Sequence, residues 1–446
     1  MDRSGGRVSR LRALPSQAWQ RYRGNADLQH AMRNLGGLYL LYLSNYLLGL
    51  LITPLLARRL GPASFGHFAA AQAYALTIGA VVEFGFNFSA NAAAQRLKDD
   101  RNGLSLLYSG VTCAKLAIFV LVVGLSALLP PVTVAFAGDN RLLLASMAWA
   151  LSMGLGPIWL YQGIGQLRLY SRLDLSIRVA LALAVILLVS ASTPIWVVQT
   201  FYAISAFISL ALTTALICKQ VDPVAPSLAY VMRCIKEAAP LFLYRLTGTV
   251  QPFINPLILG SFAPAAAVGN YAGAEKVSRF AAGLLSPLCE AVYPYVFHRA
   301  RNQPSDAGTT ALRLLAINMS LGLSLAVALF VGAPWIARAF LGSAFTEVPS
   351  ILRILALTPL LVGMTNALGV HWMLPTGLTR SYNAITVSTF AVHIAVGAAA
   401  SAAYGPLGMG AAVVFSSVFA LIGMGVALKR NATKKRSPEG VSLGRA

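Results

Sequence analysis

Ten ionisable side chains lie where so apolar a chain has little reason to keep them: Glu83, Lys115, Arg178, Arg245, Glu275, Lys276, Arg279, Glu290, Arg353 and His393 all fall inside hydrophobic stretches. A basic group at hydrocarbon depth costs about 2.5–3.5 kcal/mol even on the lenient insertion scale. Turning such groups toward one shared, wet interior is cheaper than turning each toward lipid. Arg and Lys hold phosphate oxygens through charge-assisted hydrogen bonds that strengthen away from bulk water. The chemistry on offer is therefore capture of an anion, and a pyrophosphate fits it. Glu83 and Glu290 are candidate proton carriers, with static counter-ion roles beside the nearby bases equally open. Plainer readings apply to others: an i, i+4 pair for Glu275 with Arg279, snorkelling for Arg178, Arg313 and Arg353, and packing for His393.

Helical spacing gathers these groups. Lys276, Arg279, Gly283, Pro287 and Glu290 share about 80° of arc at 100° per residue. Gln72, Gly79, Glu83 and Asn87 form a similar stripe, and Arg245, Gly248, Thr249, Pro252 and Pro256 a third. There is no HExxH, no paired carboxylate at workable spacing and no phosphate-cradling glycine loop, so the chain reads as a non-enzyme. Cys113, Cys218, Cys234 and Cys289 lack metal-ligand or CxxC spacing and read as apolar filler; no metal site is expected.

The elements that must place these residues are set by composition. Hydrophobic residues make up 57% of 446 positions and charged ones 11%, with a mean hydropathy of +0.68, which puts the chain in a bilayer. Runs of roughly 20 apolar residues predict spans at Leu35–Ala57, Phe65–Ala94, Leu104–Leu129, Leu142–Ile164, Leu173–Ser190, Ile195–Ile217, Ala238–Gly260, Ala265–Phe297, Leu312–Val331, Ile351–Leu374, Ser381–Ala402 and Gly405–Leu428. The fifth and sixth are also readable as one kinked helix, because "VSASTPIW" between them is short. The fold class is all-α integral membrane, with about 12 transmembrane helices.

The net charge of +21 invites a nucleic-acid partner, but its distribution argues against one. With the N-terminus inside, 24 basic residues fall in internal segments and four, Arg58, Arg59, Arg141 and Arg338, outside. That is the positive-inside bias of a multi-pass protein with both termini cytoplasmic. The first 33 residues lack an apolar core and are not a cleavable signal peptide; an interfacial helix or a basic tail would each suit them.

The chain repeats itself. Pro54 and Pro62 are spaced like Pro256 and Pro264, and Gly66, Phe68 and Ala69 answer Gly269, Tyr271 and Ala272 about 203 residues on. "WLYQG" at Trp159 answers "WMLPTG" at Trp372. Two six-helix lobes related by a pseudo-two-fold axis along the membrane normal follow, with matched helix breaks at Pro54, Pro62, Pro256 and Pro264 marking a substrate path or gate. The divisions are a basic segment 1–34, an N-lobe 35–217, a cytoplasmic linker 218–237, a C-lobe 238–428 and a basic tail 429–446.

"LARRLGPASFGHFA", "EFGFNFSANAAAQRLKDD", "GPIWLYQGIGQLR" and "VGNYAGAEKVSR" resemble the polysaccharide transporter family, the Wzx-type flippases within the multidrug/oligosaccharidyl-lipid/polysaccharide exporter superfamily, over Leu35 to Leu428. The resemblance implies a bacterial inner-membrane flippase. It would move undecaprenyl-pyrophosphate-linked oligosaccharide from the cytoplasmic to the periplasmic leaflet by alternating access, serving O-antigen or exopolysaccharide synthesis. It implies a monomer among membrane lipids, working beside a polysaccharide polymerase and chain-length machinery. No resident cofactor is implied; a proton or a sodium ion would drive it. By position, Arg245, Lys276 and Arg279 in the second lobe and Lys115 in the first would bind substrate. Rival readings are a lipid II flippase, a drug or cation exporter of the same fold, whose cavity would favour carboxylates, and a membrane polymerase or ligase, which would need a larger outer loop than Ala333–Ser350.

Overall fold

The computed structural model describes residues 26–126, 128, 136, 138–245, 251–289 and 307–436. Among them every regular element is a helix. In chain order these are α1 Ala26–Val82, α2 Phe86–Arg96, α3 Arg101–Ser126, α4 Asn140–Leu155, α5 Ile158–Gly163, α6 Leu167–Leu188, α7 Ile195–Ile217, α8 Leu228–Arg245, α9 Gln251–Gly260 and α10 Ala265–Gly283. α11 Ala307–Ile336 runs into a π-helical turn, Ala337–Leu341. α12 Val348–Leu355 and α13 Thr358–Thr365 lead to a second π-helical turn, Asn366–Met373, before α14 Thr379–Arg436.

Seven stretches among the described residues are long and apolar enough to cross a membrane: Leu51–Val82, Arg101–Ser126, Asn140–Gly163, Ile195–Ile217, Leu312–Leu341, Val348–Met373 and Thr379–Asn431. The last is 53 residues, enough for two crossings at roughly 20 residues each, and α14 breaks inside it at Gly405 (φ 57°, ψ −134°). α6 carries Arg168, Arg172, Asp174 and Arg178 and is not among the seven. The short "VSASTPIW" link separates α6 from α7 rather than kinking one helix, with the Ser190 amide donating to Thr193 Oγ1 at 2.8 Å.

The matched prolines behave in two ways. α1 turns at Gly61 (φ 72°, ψ 171°), a left-handed backbone that favours glycine, and resumes at Pro62. α9 ends at Gly260, and Pro264 caps the start of α10. Pro at a helix start loses no bond, because that N–H has no partner there in any case. Pro54 and Pro256, by contrast, lie inside α1 and α9. They are not breaks: each removes one intrahelical donor, and packing on neighbouring helices tolerates the loss.

The new starts then meet each other. A Cβ placed on Gly66 would lie 1.7 Å from the Ala265 carbonyl oxygen, and one on Gly269 would lie 2.0 Å from that of Pro62. The contact is reciprocal, with both pairs of positions offset by 203 residues. Only hydrogen fits at the crossing. Among the described residues, α1 and α10 make the most extensive helix–helix contact.

The neighbouring arginines tie down this same Pro62 end. Arg59 donates to the carbonyls of Ile186, at 2.8 Å, and of Val189, where α6 finishes. Arg58 donates to the Ala339 carbonyl in the π-helical turn after α11. A guanidinium at a helix C-terminus satisfies orphan carbonyls and complements the negative end of the dipole. The apolar core follows this arrangement. One cluster joins residues from Ala70 to Ala238 and reaches Leu257 on α9, while a second unites Ile52–Ala69 and the last turns of α6 with residues of the second half.

Candidate functional site

The second limb of α1, α9 and α10 enclose a pocket whose lining includes Gln72, Phe253, Glu275, Lys276 and Arg279. All three stripes read from the sequence meet here, the third through Pro256. Lys276 Nζ donates to Gln72 Oε1 at 2.9 Å across 204 residues of chain. The ammonium also sits over the faces of Phe65 and Phe68, 5.4 and 5.8 Å from their centroids, where the ring quadrupoles attract it. No carboxylate lies within ion-pair distance of Lys276 among the described residues.

Arg279 is held differently. Its guanidinium is 3.7 Å from Glu275, one helical turn back, and stands 5.5 Å from the Phe253 centroid. Glu275 is itself fixed: Oε1 accepts from Asn255 Nδ2 at 2.7 Å and from the Tyr271 hydroxyl at 3.3 Å. Behind it, Asn255 Oδ1 accepts from His393 Nε2 at 2.7 Å, and His393 Nδ1 is 3.0 Å from Ser416 Oγ. A carboxylate, an amide and an imidazole thus form one buried chain from the pocket to α14. It orients Glu275, and so sets where Arg279 points.

The structure brings Lys276 and Arg279 together and places Lys115 elsewhere. Lys115 is buried, and its ammonium donates at 3.2 Å to the carbonyl of Gly156, the residue that ends α4 before Pro157 starts α5. The interruption frees a carbonyl, and a cation at a helix C-terminus is the natural partner for it. Lys115→Met should therefore leave transport within about twofold of wild type, while unpairing the Gly156 carbonyl costs about 1–3 kcal/mol. Complementation beside a thermal melt in detergent checks both. Loss of transport at normal stability would return Lys115 to the substrate path.

Glu83 is buried at the break between α1 and α2, where Phe84 adopts φ 41° and Gly85 φ 85°; the Phe84 ring stacks on Phe242 at 4.4 Å. The Arg245 side chain and Glu290 lie outside the described residues. Arg178 pairs with Asp174 at 2.6 Å on the same helix, and Arg353 covers Phe330. Among the described residues no group of three or more His, Cys, Asp or Glu could hold a metal. Asn255 and Phe65 escape sequence reasoning, and Phe68 and Tyr271 show there only as repeat positions, since an uncharged side chain in an apolar run gives no sign of its role until folding sets it beside a charge.

Comparison with known proteins places this site in context. Residues 31–300 match the family described as "Polysaccharide biosynthesis protein". A curated protein of Escherichia coli (strain K12), "Putative O-antigen transporter", is 24% identical over 371 residues, covering 82% of this chain and 88% of that protein. Among solved structures, "Lipid II flippase MurJ, inward closed conformation" superposes with a TM-score of 0.70 at 14% identity, covering 89% of this chain and 87% of the other. An inward-facing multidrug resistance MATE family transporter of the MOP superfamily gives 0.66 at 15% identity, covering 89% and 96%. At such identities these structures share the fold.

Proposed function

We propose, from the premise that the chain belongs to the polysaccharide biosynthesis protein family of polysaccharide and O-antigen transporters, that it carries undecaprenyl-pyrophosphate-linked oligosaccharide from the cytoplasmic to the periplasmic leaflet of the bacterial inner membrane. Twelve spans in two lobes, 35–217 and 238–428, would work by alternating access. The positive-inside bias puts the Pro62 end outward and the basic termini in the cytoplasm. The Gly66–Gly269 crossing would then close the periplasmic side, and the pocket would receive substrate from within.

One observation carries the substrate class: Lys276, an ammonium with no ion-pair partner among the described residues, faces the other half of the chain at membrane depth. Such a charge is worth its desolvation cost where an anion arrives to meet it. The Lys276 ammonium has three donors and gives one to Gln72, so a diphosphate would accept from the others, and its pull on the ammonium would weaken a tie between the halves. An exporter of cations is disfavoured by a pocket where Lys276 and Arg279 face the single carboxylate of Glu275.

The test is direct. Purified protein in proteoliposomes should speed the transbilayer movement of a fluorescent polyprenyl-diphosphate oligosaccharide at least tenfold over empty vesicles. A matched polyprenyl-linked glycan lacking the diphosphate should move slowly. Equal rates for both lipids, or no acceleration of either, would refute the proposal.

A further inference from the structure

His371 and Cys289, at the foot of the second half, form a site that the pocket does not use. His371 is buried in the π-helical turn Asn366–Met373. Its Nδ1 lies 3.2 Å from the carbonyl oxygen of Asn366, and its Nε2 lies 3.0 Å from that of Cys289. A carbonyl oxygen only accepts. Neutral imidazole has one N–H and one bare lone pair, whereas imidazolium has two N–H groups. These two contacts are complete only in the charged ring; loss of the proton leaves a lone pair facing an oxygen.

We infer that His371 is a proton-binding site for coupling, whose imidazolium clasps the Cys289 carbonyl beyond α10 to the π-helical turn after α13. The proposal rests on the transporter reading above and names its driving ion. Helical structure is interrupted after Gly283, at Leu284 and Leu285, and resumes as far as Cys289. The short leg gripped by His371 is thus joined by a two-residue turn to the helix that carries Lys276 and Arg279. Arg279 and Cys289 are ten residues apart, about 15 Å along a helix. Taking or releasing one proton on the ring would bind or free this leg, and so bias the tilt of the helix that holds the substrate.

The first half supplies a control. Where Trp159 matches Trp372, the position matching His371 holds Ile158, and the carbonyl opened at Gly156 is served instead by the Lys115 ammonium. A basic side chain meets the interrupted backbone in each half, a lysine in the first and an imidazole in the second.

The Cys289 thiol is directed at Asn318 Oδ1 on α11, 3.4 Å away, and the Tyr382 ring on α14 packs against Gly369. Arg313 on α11 and Arg380 on α14 are exposed, and no Asp or Glu occurs in α11, α13 or α14. Glu290 follows Cys289 and lies outside the described residues.

Two readouts test this. In full-length protein labelled with 15N/13C-histidine in nanodiscs, the His371 resonance, identified by its loss in His371→Gln, should pass between neutral and doubly protonated forms within pH 5–8. If that variant fails to accumulate, replacing His30, His67, His298 and His393 identifies the signal by elimination. In proteoliposomes, lipid transport by wild type should rise at least fivefold under an imposed proton gradient, and His371→Gln should run at one rate with or without it. A ring fixed in one neutral tautomer across pH 5–8, or an unchanged gradient response in His371→Gln, overturns the inference. A titrating ring in a protein that moves no lipid would instead refute the transport reading alone, so the two failures are distinguishable.

Discussion

Leucine at Gly269 is expected to abolish polysaccharide export and to leave the Pro62 end permanently unsealed. The Cβ alone would stand 2.0 Å from the Pro62 carbonyl oxygen and 3.1 Å from the Gly66 nitrogen, and both obstacles are backbone, which cannot rotate aside as a side chain can. Overpacking by added methylenes costs about 1–3 kcal/mol, which shifts an open–closed equilibrium by about 5–150-fold; leucine adds several such groups, and alanine falls at the lower end. Because the crossing is reciprocal, Gly66→Ala and Gly269→Ala should have matching effects, and the double variant should fall short of their sum, since one separation relieves both clashes. The check is alkylation of Ala73→Cys, in the pocket lining, by an impermeant maleimide added outside, with the native cysteines replaced. Labelling should be slow in the parent and fast in Gly269→Leu. Equal labelling with full export would show that the crossing is no seal.

The second large effect is at Lys276. Lys276→Gln should lower export about ten- to hundredfold, because a charge-assisted bond contributes about 1.5–3 kcal/mol and each 1.4 kcal/mol is a factor of ten. Membrane abundance should hold, since removing an ammonium with no ion-pair partner among the described residues also removes its desolvation cost. Gln72→Glu sharpens the test. A carboxylate at the position now accepting from Lys276 at 2.9 Å would pair with it directly, so export should fall while the melting temperature in detergent rises. Quantified surface polysaccharide beside that melt reads both. A Gln72→Glu protein that exports normally would mean that Lys276 does not hold the anion.

These two sites differ in how far the sequence discloses them. The apolar runs are legible because bilayer thickness fixes their length, and the family is legible in "LARRLGPASFGHFA" and its companions. Lys276 and Gln72 are legible too, because each lies on a stripe of charged, small or polar residues that hydrocarbon would reject. What stays hidden is the partner of each group. Lys115 looks identical to Lys276 as a lysine in an apolar run, yet it serves a carbonyl exposed by Gly156 and Pro157, forty-one residues on. His393 looks like a lone packing residue, and its bond to Asn255 spans 138 residues. Among the prolines, Pro62 and Pro264 end up at helix starts because Gly61 and the Ser261–Ala263 turn precede them, while Pro54 and Pro256 have no such neighbour and are absorbed. Arg58 and Arg59 count in the sequence only as exterior charges, since their acceptors are backbone oxygens that composition does not reveal.

Those two adjacent arginines impose a lever. Arg58 grips Ala339 in the second half while Arg59 grips the last turn of α6 in the first, so any rocking that preserves both grips must pivot beside residues 58 and 59. A helix of about 20 residues is about 30 Å long, and a swing of roughly 10° about that fulcrum moves its far end by about 5 Å while the near end hardly stirs. The end of the bundle away from these two residues can therefore move widely, whereas parting the helices at the Pro62 end requires Arg58 to let go of Ala339. Letting go of one backbone oxygen is a discrete event, so motion at that end is stepwise where motion at the other is graded.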